Sequence, residues 1–254
     1  MTHTMGLLGA VHEDLLGTRL EWLRAGTDLL LAHTDGLTDA EVTAPSLLPG
    51  WSRAHLLAHL ARNADALLNL LTWARTGVET PMYTDLAQRE RDIEQGACAP
   101  PARLRADVRA TAAGLDAAIA ELPSRSWTAP VRSALGRDIP ASDVPWLRVR
   151  ELWIHLVDLG TGASFGDLPT ALVDALLTDV AGALGRRPGV PELLLEATDR
   201  TETAWRLPAG AAGPARVTGS AAGLLALLTG RTGDASVRGL DPRPDELTAI
   251  PVWL

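Results

Sequence analysis

With 254 residues, the chain can form one large domain or two modest ones and can bury a core without covalent staples. Cys98 is the only cysteine, which excludes a disulfide within the chain and a thiolate cluster for a metal, so any metal site must use nitrogen and oxygen ligands. A formal net charge of -8 disfavours attraction to phosphate backbones or anionic lipid, and nucleic acid is not an expected partner.

The opening MTHTMGLLGAVHEDLL lacks a basic start followed by an apolar run and acquires Glu13 and Asp14, so it does not read as a signal peptide. The longest apolar stretches, ALLNLLTW and GLLALL, fall short of the ~20 residues that span a bilayer, and a cytoplasmic protein without membrane contact is expected.

Leucine and alanine recur at helical spacing from His12 to about Asp35, giving a long first helix that ends in DGLTDAE. After LLPGWS, Ser52 is placed to cap a second helix that Thr76 and Gly77 stop. LAQRERDIEQGA forms a third helical piece, and Pro100 and Pro101 start a fourth that runs through Leu122. RSWTAPVRSALGRDIPASDVPW reads as a polar, proline-bearing connection before helical periodicity resumes from Val144 to Leu159, ended by Gly160 and Gly162.

A further helix is expected from Leu168 to Leu184. The character then changes: ELLLEATD, TAWRLP and ARVTGS are short apolar runs parted by turn residues, and they read as strands. A helix over Ala221 to Leu228 and a final strand at ASVRG complete a small α+β domain, with AGAAGPA as a turn. The expected organisation is therefore mainly α, a helical bundle over 1–188 followed by a small α+β domain over 189–254.

The chemistry concentrates in two of these helices. Glu151 and His155 are four apart in ELWIH and share one helix face, within reach of a single ion. Most of that helix is apolar around its circumference, and its polar groups gather in one stripe of Arg148, Glu151, His155 and Asp158, which is also what a solvated helix face looks like. The second helix carries His55 and His59, also four apart; His59 sits at the edge of the arc made by Leu56, Leu60, Leu67 and Leu70, and His55 turns further toward solvent.

Packing the two helices together would bring His59 to Glu151 and His155, two imidazoles and a carboxylate with one coordination position left open. Such a set suits zinc or another divalent first-row metal acting as a Lewis acid on a water or thiol. Asp158 is placed either to orient His155 or to serve as a cap or surface group. His3, His12 and His33 have no partner at ligand spacing and read as surface residues; Cys98 has no base at hand, and Trp51 and Trp153 are placed either to line the pocket or, as tryptophans in helical bundles favour, in the core.

The run LPGWSRAHLLAHLARNADAL, the segment PMYTDLAQRERDIEQGA and the run RVRELWIHLVDLG together resemble the mycothiol-dependent maleylpyruvate isomerases, a branch of the DinB-like metal-binding bundles. The likeness covers most of the chain. It implies a DinB-like four-helix bundle with His59, Glu151 and His155 as metal ligands, and a small C-terminal α+β domain in which the arginine of LLALLTGR, here Arg231, contributes to the active site.

The implied reaction is the cis to trans isomerisation of maleylpyruvate to fumarylpyruvate, with mycothiol as the thiol cofactor and the metal holding its thiolate. Addition to the alkene, rotation about the resulting single bond and elimination give the trans product. Arginines would clamp the substrate carboxylates, with Arg231 and Arg89 of RERDIE as the residues expected to do so. The same ligand set also serves transferases that pass mycothiol or another small thiol to electrophiles, and a non-catalytic metal-binding module is the remaining alternative. Both a monomer and a homodimer are compatible with the sequence.

Overall fold

The computed structural model describes residues 2–201, 203–207, 214–247 and 250–251, with side chains from residue 14 onward apart from Glu246. Two compact units emerge, Met1–Thr161 and Gly162–Leu254.

The first unit begins with α1 (Thr2–Asp35) and a single turn, α2 (Asp39–Thr43). That turn is fixed by a reciprocal cap: the Glu41 amide donates to the Thr38 hydroxyl, and the Thr38 amide donates to the Glu41 carboxylate. Next, α3 (Arg53–Thr76) starts at Ser52, whose hydroxyl accepts from the His55 amide, and ends at Gly77, whose φ of 73° closes a left-handed cap. Asp85 caps α4 (Leu86–Ala97), and Pro101 occupies the first position of α5 (Pro101–Glu121), where no amide proton is needed.

A short antiparallel hairpin, β1 (Pro130–Arg132) with β2 (Asp138–Pro140), interrupts the segment expected to be a plain connection. Strands of three residues are too short to reveal a period of two, and the Ser133 amide bonding to the Arg137 carbonyl, with Gly136 at a φ of 74°, supplies the turn. The unit closes with α6 (Val144–Asp158).

Helices α1, α3, α5 and α6 pack in a closed cycle, α1 on α6, α6 on α3, α3 on α5 and α5 on α1, a four-helix bundle. Its core is leucine-rich, with Leu56, Leu57, Leu60, Leu67 and Leu70 of α3 wholly buried. Each such side chain contributes about 1.5–3 kcal/mol relative to exposure. Trp153 takes its expected core place, its indole N–H donating to the Trp22 carbonyl at 2.9 Å across a close approach at Gly26.

Two arginines hold α3 against α6 in antiparallel register. At the start of α3, Arg53 donates to three carbonyls, those of Leu159, Gly160 and Glu41. At the other end Arg148 of α6, only 1% exposed, donates through Nη1 to the Leu60 carbonyl and to Asn63 Oδ1, both at 2.8 Å. The stripe of Arg148, Glu151, His155 and Asp158 therefore faces inward and is not the solvated side of an amphipathic helix.

In the second unit α7 (Thr170–Leu184) and α8 (Ala221–Leu228) pack together and cover a three-stranded sheet of order β4-β3-β5. Here β3 (Leu193–Ala197) pairs antiparallel with β4 (Ala204–Leu207) and parallel with β5 (Ala215–Gly219). The α+β character after residue 188 lies in these strands and α8, while compactness divides the chain earlier, at Thr161, because α7 packs on α8 and β4.

The expected final strand at ASVRG is a 3-10 helix, Ala235–Gly239. Asp234 accepts from the Ser236 amide and so caps a tight turn, a local bond that wins over β propensity in a run of only five residues. Residues 209–213 of the AGAAGPA turn lie outside the described residues. Among the described residues, no helix is long and apolar enough to cross a membrane.

Candidate metal centre

The antiparallel packing of α3 on α6 points three side chains at one volume. His59 Nε2 lies 2.8 Å from Glu151 Oε2, and His155 Nε2 lies 3.3 Å from the same oxygen. One ligand atom from each residue falls within 4.8 Å of the others. The rings of His59 and His155 meet edge to face with centroids 4.9 Å apart, so both present nitrogen to Glu151.

These are the residues expected from sequence, and their donor set, two imidazoles and a carboxylate from two rigid helices, fits a divalent first-row cation. His55, by contrast, bonds to Ser52 and reaches Glu94 at 3.3 Å, serving the helix cap on the outer side of α3.

Burial and the close approach of the three groups shift each of their pKa values. Burial pushes the Glu151 carboxyl up, but hydrogen bonds from His155 and His59 outweigh it and hold the group well below the carboxylate range. Burial alone dominates at His59 and lowers its pKa. At His155 burial also pulls down, yet hydrogen bonds to Asp158 and Glu151 prevail and raise it.

Asp158 is fully buried with its Oδ2 2.8 Å from His155 Nδ1, so of its two expected placements it takes the orienting one.

Around this centre lie residues that sequence reasoning treated unevenly. Arg89 of α4, expected at the site, donates through Nη2 to His59 Nδ1 at 3.2 Å. Its guanidinium also stands 5.8 Å from the ring centroid of Tyr83. Trp51, for which a pocket wall and the core were both open, sits half-buried with its ring 5.6 Å from that of His59. Trp51 immediately precedes the Ser52 cap, which holds it at the mouth of α3.

Three neighbours were given no site role from sequence: Tyr83, Asn63 and the buried Arg148, whose guanidinium pKa burial pushes down to about 10 against the pull of Glu151, Tyr83 and Asp65. The signal available for Asn63 was its place four residues beyond His59 on the same helix face. Tyr83, the one tyrosine in the chain, lies in the PMYTDLAQRERDIEQGA segment that carries the family resemblance.

Arg231 belongs to the second unit, three residues past the end of α8, where its Nη1 donates to the Thr229 carbonyl. Cys98 is exposed at the end of α4 and takes no part in the constellation. His33, expected at the surface, is half-buried with Nδ1 2.7 Å from the Thr161 hydroxyl, and the side chains of His3 and His12 lie outside the described residues.

Comparison with known proteins bears on the whole of this arrangement. Residues 23–160 match the family model of the mycothiol maleylpyruvate isomerase N-terminal domain. The crystal structure of the mycothiol-dependent maleylpyruvate isomerase superimposes with a TM-score of 0.86 at 36% identity, covering 95% of this chain and 99% of that one. A crystal structure of the same enzyme with one histidine replaced by alanine matches with the same TM-score, identity and coverage. A search of curated proteins finds no match. On the family model, the fold match and their shared extent, this chain belongs to the mycothiol maleylpyruvate isomerase family.

Proposed function

We propose that the chain is a metal-dependent enzyme that uses mycothiol to convert maleylpyruvate to fumarylpyruvate. The observation that carries this reading is the convergence of His59, Glu151 and His155 on one volume, in a chain whose fold matches the isomerase over almost its full length. Zinc is the metal we assign to the three ligands, and when bound it supplies a Lewis acid position at which a thiol ionises near neutral pH.

The chain's own residues do the remaining work. Asp158 accepts from His155 Nδ1, which leaves the His155 Nε2 lone pair for the metal. Were His59 Nε2 to hold the metal in the same way, its Nδ1 would carry the imidazole proton and could not accept from Arg89 as it does in the structure. That guanidinium is then available for a substrate carboxylate, which it meets with two parallel hydrogen bonds. Arg231 is assigned the second carboxylate and contact with the thiol cofactor. Trp51 supplies an apolar wall beside His59.

On the substrate, the thiolate sulfur bonds to an alkene carbon and the π pair moves onto the conjugated ketone. Rotation about the former double bond follows, and return of the pair expels the thiolate with no net gain or loss of protons or electrons. We assign the enzyme to the cytoplasm, as a monomer or homodimer acting on small molecules.

The test is to incubate the zinc-loaded protein with mycothiol and maleylpyruvate and follow fumarylpyruvate by chromatography. Formation of product that requires both metal and thiol is expected. Thiol consumption by electrophiles without isomerisation would transfer the protein to the S-transferases, and neither activity would leave a binding module.

A further inference from the structure

A second cavity, of about 320 Å³, opens between α1 and α5. Leu23 of α1 and Ala112 and Leu115 of α5, all buried, give it apolar walls, and none of His59, Glu151 and His155 lines it. One lining residue comes from a third helix, the buried Arg148 of α6.

In the cycle of the bundle α5 and α6 are diagonal to each other. Arg148 therefore meets a cavity walled by α5 through its extended side chain, the same chain that crosses the interior to the Leu60 carbonyl of α3.

The guanidinium is incompletely partnered. Nη1 donates to the Leu60 carbonyl and to Asn63 Oδ1, both neutral acceptors, whereas Nη2 is buried and makes no hydrogen bond. Burial pushes the Arg148 pKa down only to about 10, so the group is still a cation at neutral pH. A buried cation with an idle donor calls for an acceptor, and a negatively charged one satisfies the donor and the charge together.

Size and lining define the rest of the ligand. An apolar cavity of about 150 Å³ takes benzene, and this one has room for a ring of that size and a carboxylate. The exposed rim carries both signs, Arg24 and Arg109 with Asp28 and Asp116, so it offers no net field for a multiply charged anion.

We propose that this cavity is a second small-molecule site, which takes a compact monocarboxylate with its hydrocarbon body against Leu23, Ala112 and Leu115 and its carboxylate on Arg148 Nη2. The assignment stands apart from the isomerase reading, because no residue of the metal centre takes part in it.

Benzoate is the probe, and benzamide is its uncharged counterpart of similar shape. Calorimetric titration into the full chain should give saturable binding of one benzoate, roughly tenfold or more tighter than benzamide, since the bond to a charged group is the stronger one. The affinity should be the same with zinc and with chelator, which separates this site from carboxylate uptake by a metal.

Two variants locate the ligand. Ala112→Leu fills the cavity from α5 with Arg148 untouched and should weaken benzoate binding at least tenfold. Arg148→Met replaces the buried cation by an apolar chain and should remove the preference for benzoate over benzamide. Because Arg148 also ties α6 to α3, urea unfolding is measured beside it, and Ala112→Leu decides the matter if Arg148→Met does not fold. No saturable benzoate binding, equal affinity for benzamide, binding lost with chelator, or full affinity in Ala112→Leu would each overturn the proposal.

Discussion

His155 Nδ1 and Asp158 Oδ2 stand 2.8 Å apart within one turn of α6, both buried. The carboxylate fixes Nδ1 as a donor and orients the ring, and thereby aims Nε2 into the volume shared with Glu151 and His59.

Asp158→Asn should therefore lower metal affinity by about 10–100-fold while the fold is kept, since the amide neither holds the tautomer as firmly nor raises the basicity of the ring. Competition with a coloured chelator measures this, and an unchanged affinity would remove the orienting role.

His55 and His59 are predicted to separate cleanly. His59→Ala removes a ligand and should abolish stoichiometric metal binding, as should Glu151→Ala. His55→Ala should keep a full equivalent of metal and lose only cap stability, about 0.5–2 kcal/mol, because its contacts are with Ser52 and Glu94. Elemental analysis with urea unfolding reads both, and metal loss in His55→Ala would contradict the assignment.

The metal-free protein should be most stable near pH 6.5, the ordinary histidine value from which both imidazoles depart. The His59 pKa is depressed on folding, so below 6.5 the unfolded chain takes the proton more readily and stability falls. The His155 pKa is raised, so its contribution is fully present below 6.5 and is lost as pH rises through the folded value.

Glu151, depressed well below 4.5, adds a further loss only at more acidic pH. Unfolding midpoints measured in chelator across this range should trace the maximum, and Asp158→Asn should flatten its alkaline side.

Gly26→Ala is predicted to destabilise by about 1–3 kcal/mol, because a methyl there would meet the Trp153 indole nitrogen at 2.6 Å, and the backbone bond to Trp22 leaves the ring little room to retreat. Denaturant unfolding gives the number. Metal content should fall little, since α6 carries its ligands on another face.

The helices of this fold, and the three clustered side chains of the candidate metal centre, were legible in the sequence because of a period: leucines at helical spacing, and Glu151 with His155 on one face. What was not legible was the task of Arg148, which belongs to the same polar stripe as Glu151 and reaches the Leu60 carbonyl across the bundle. The β1–β2 hairpin was too short to leave a pattern. Tyr83 and Trp51 stand in segments flanking helices, where no periodicity applies, and their contacts with Arg89 and His59 depend on how those segments fold back on α4 and α3.

The arginine clamp at the start of α3 has a consequence for how this centre is gauged. Arg53 grips the carbonyls where α6 ends, and those carbonyls belong to the backbone, so the grip is indifferent to which side chains follow. It acts as a ruler: slipping α3 by one helical turn would carry His59 about 5.4 Å along its axis, past any bonding distance to Glu151. The coordination geometry is thus a readout of helix register, leaving the pocket walls free to vary around an unmoved centre.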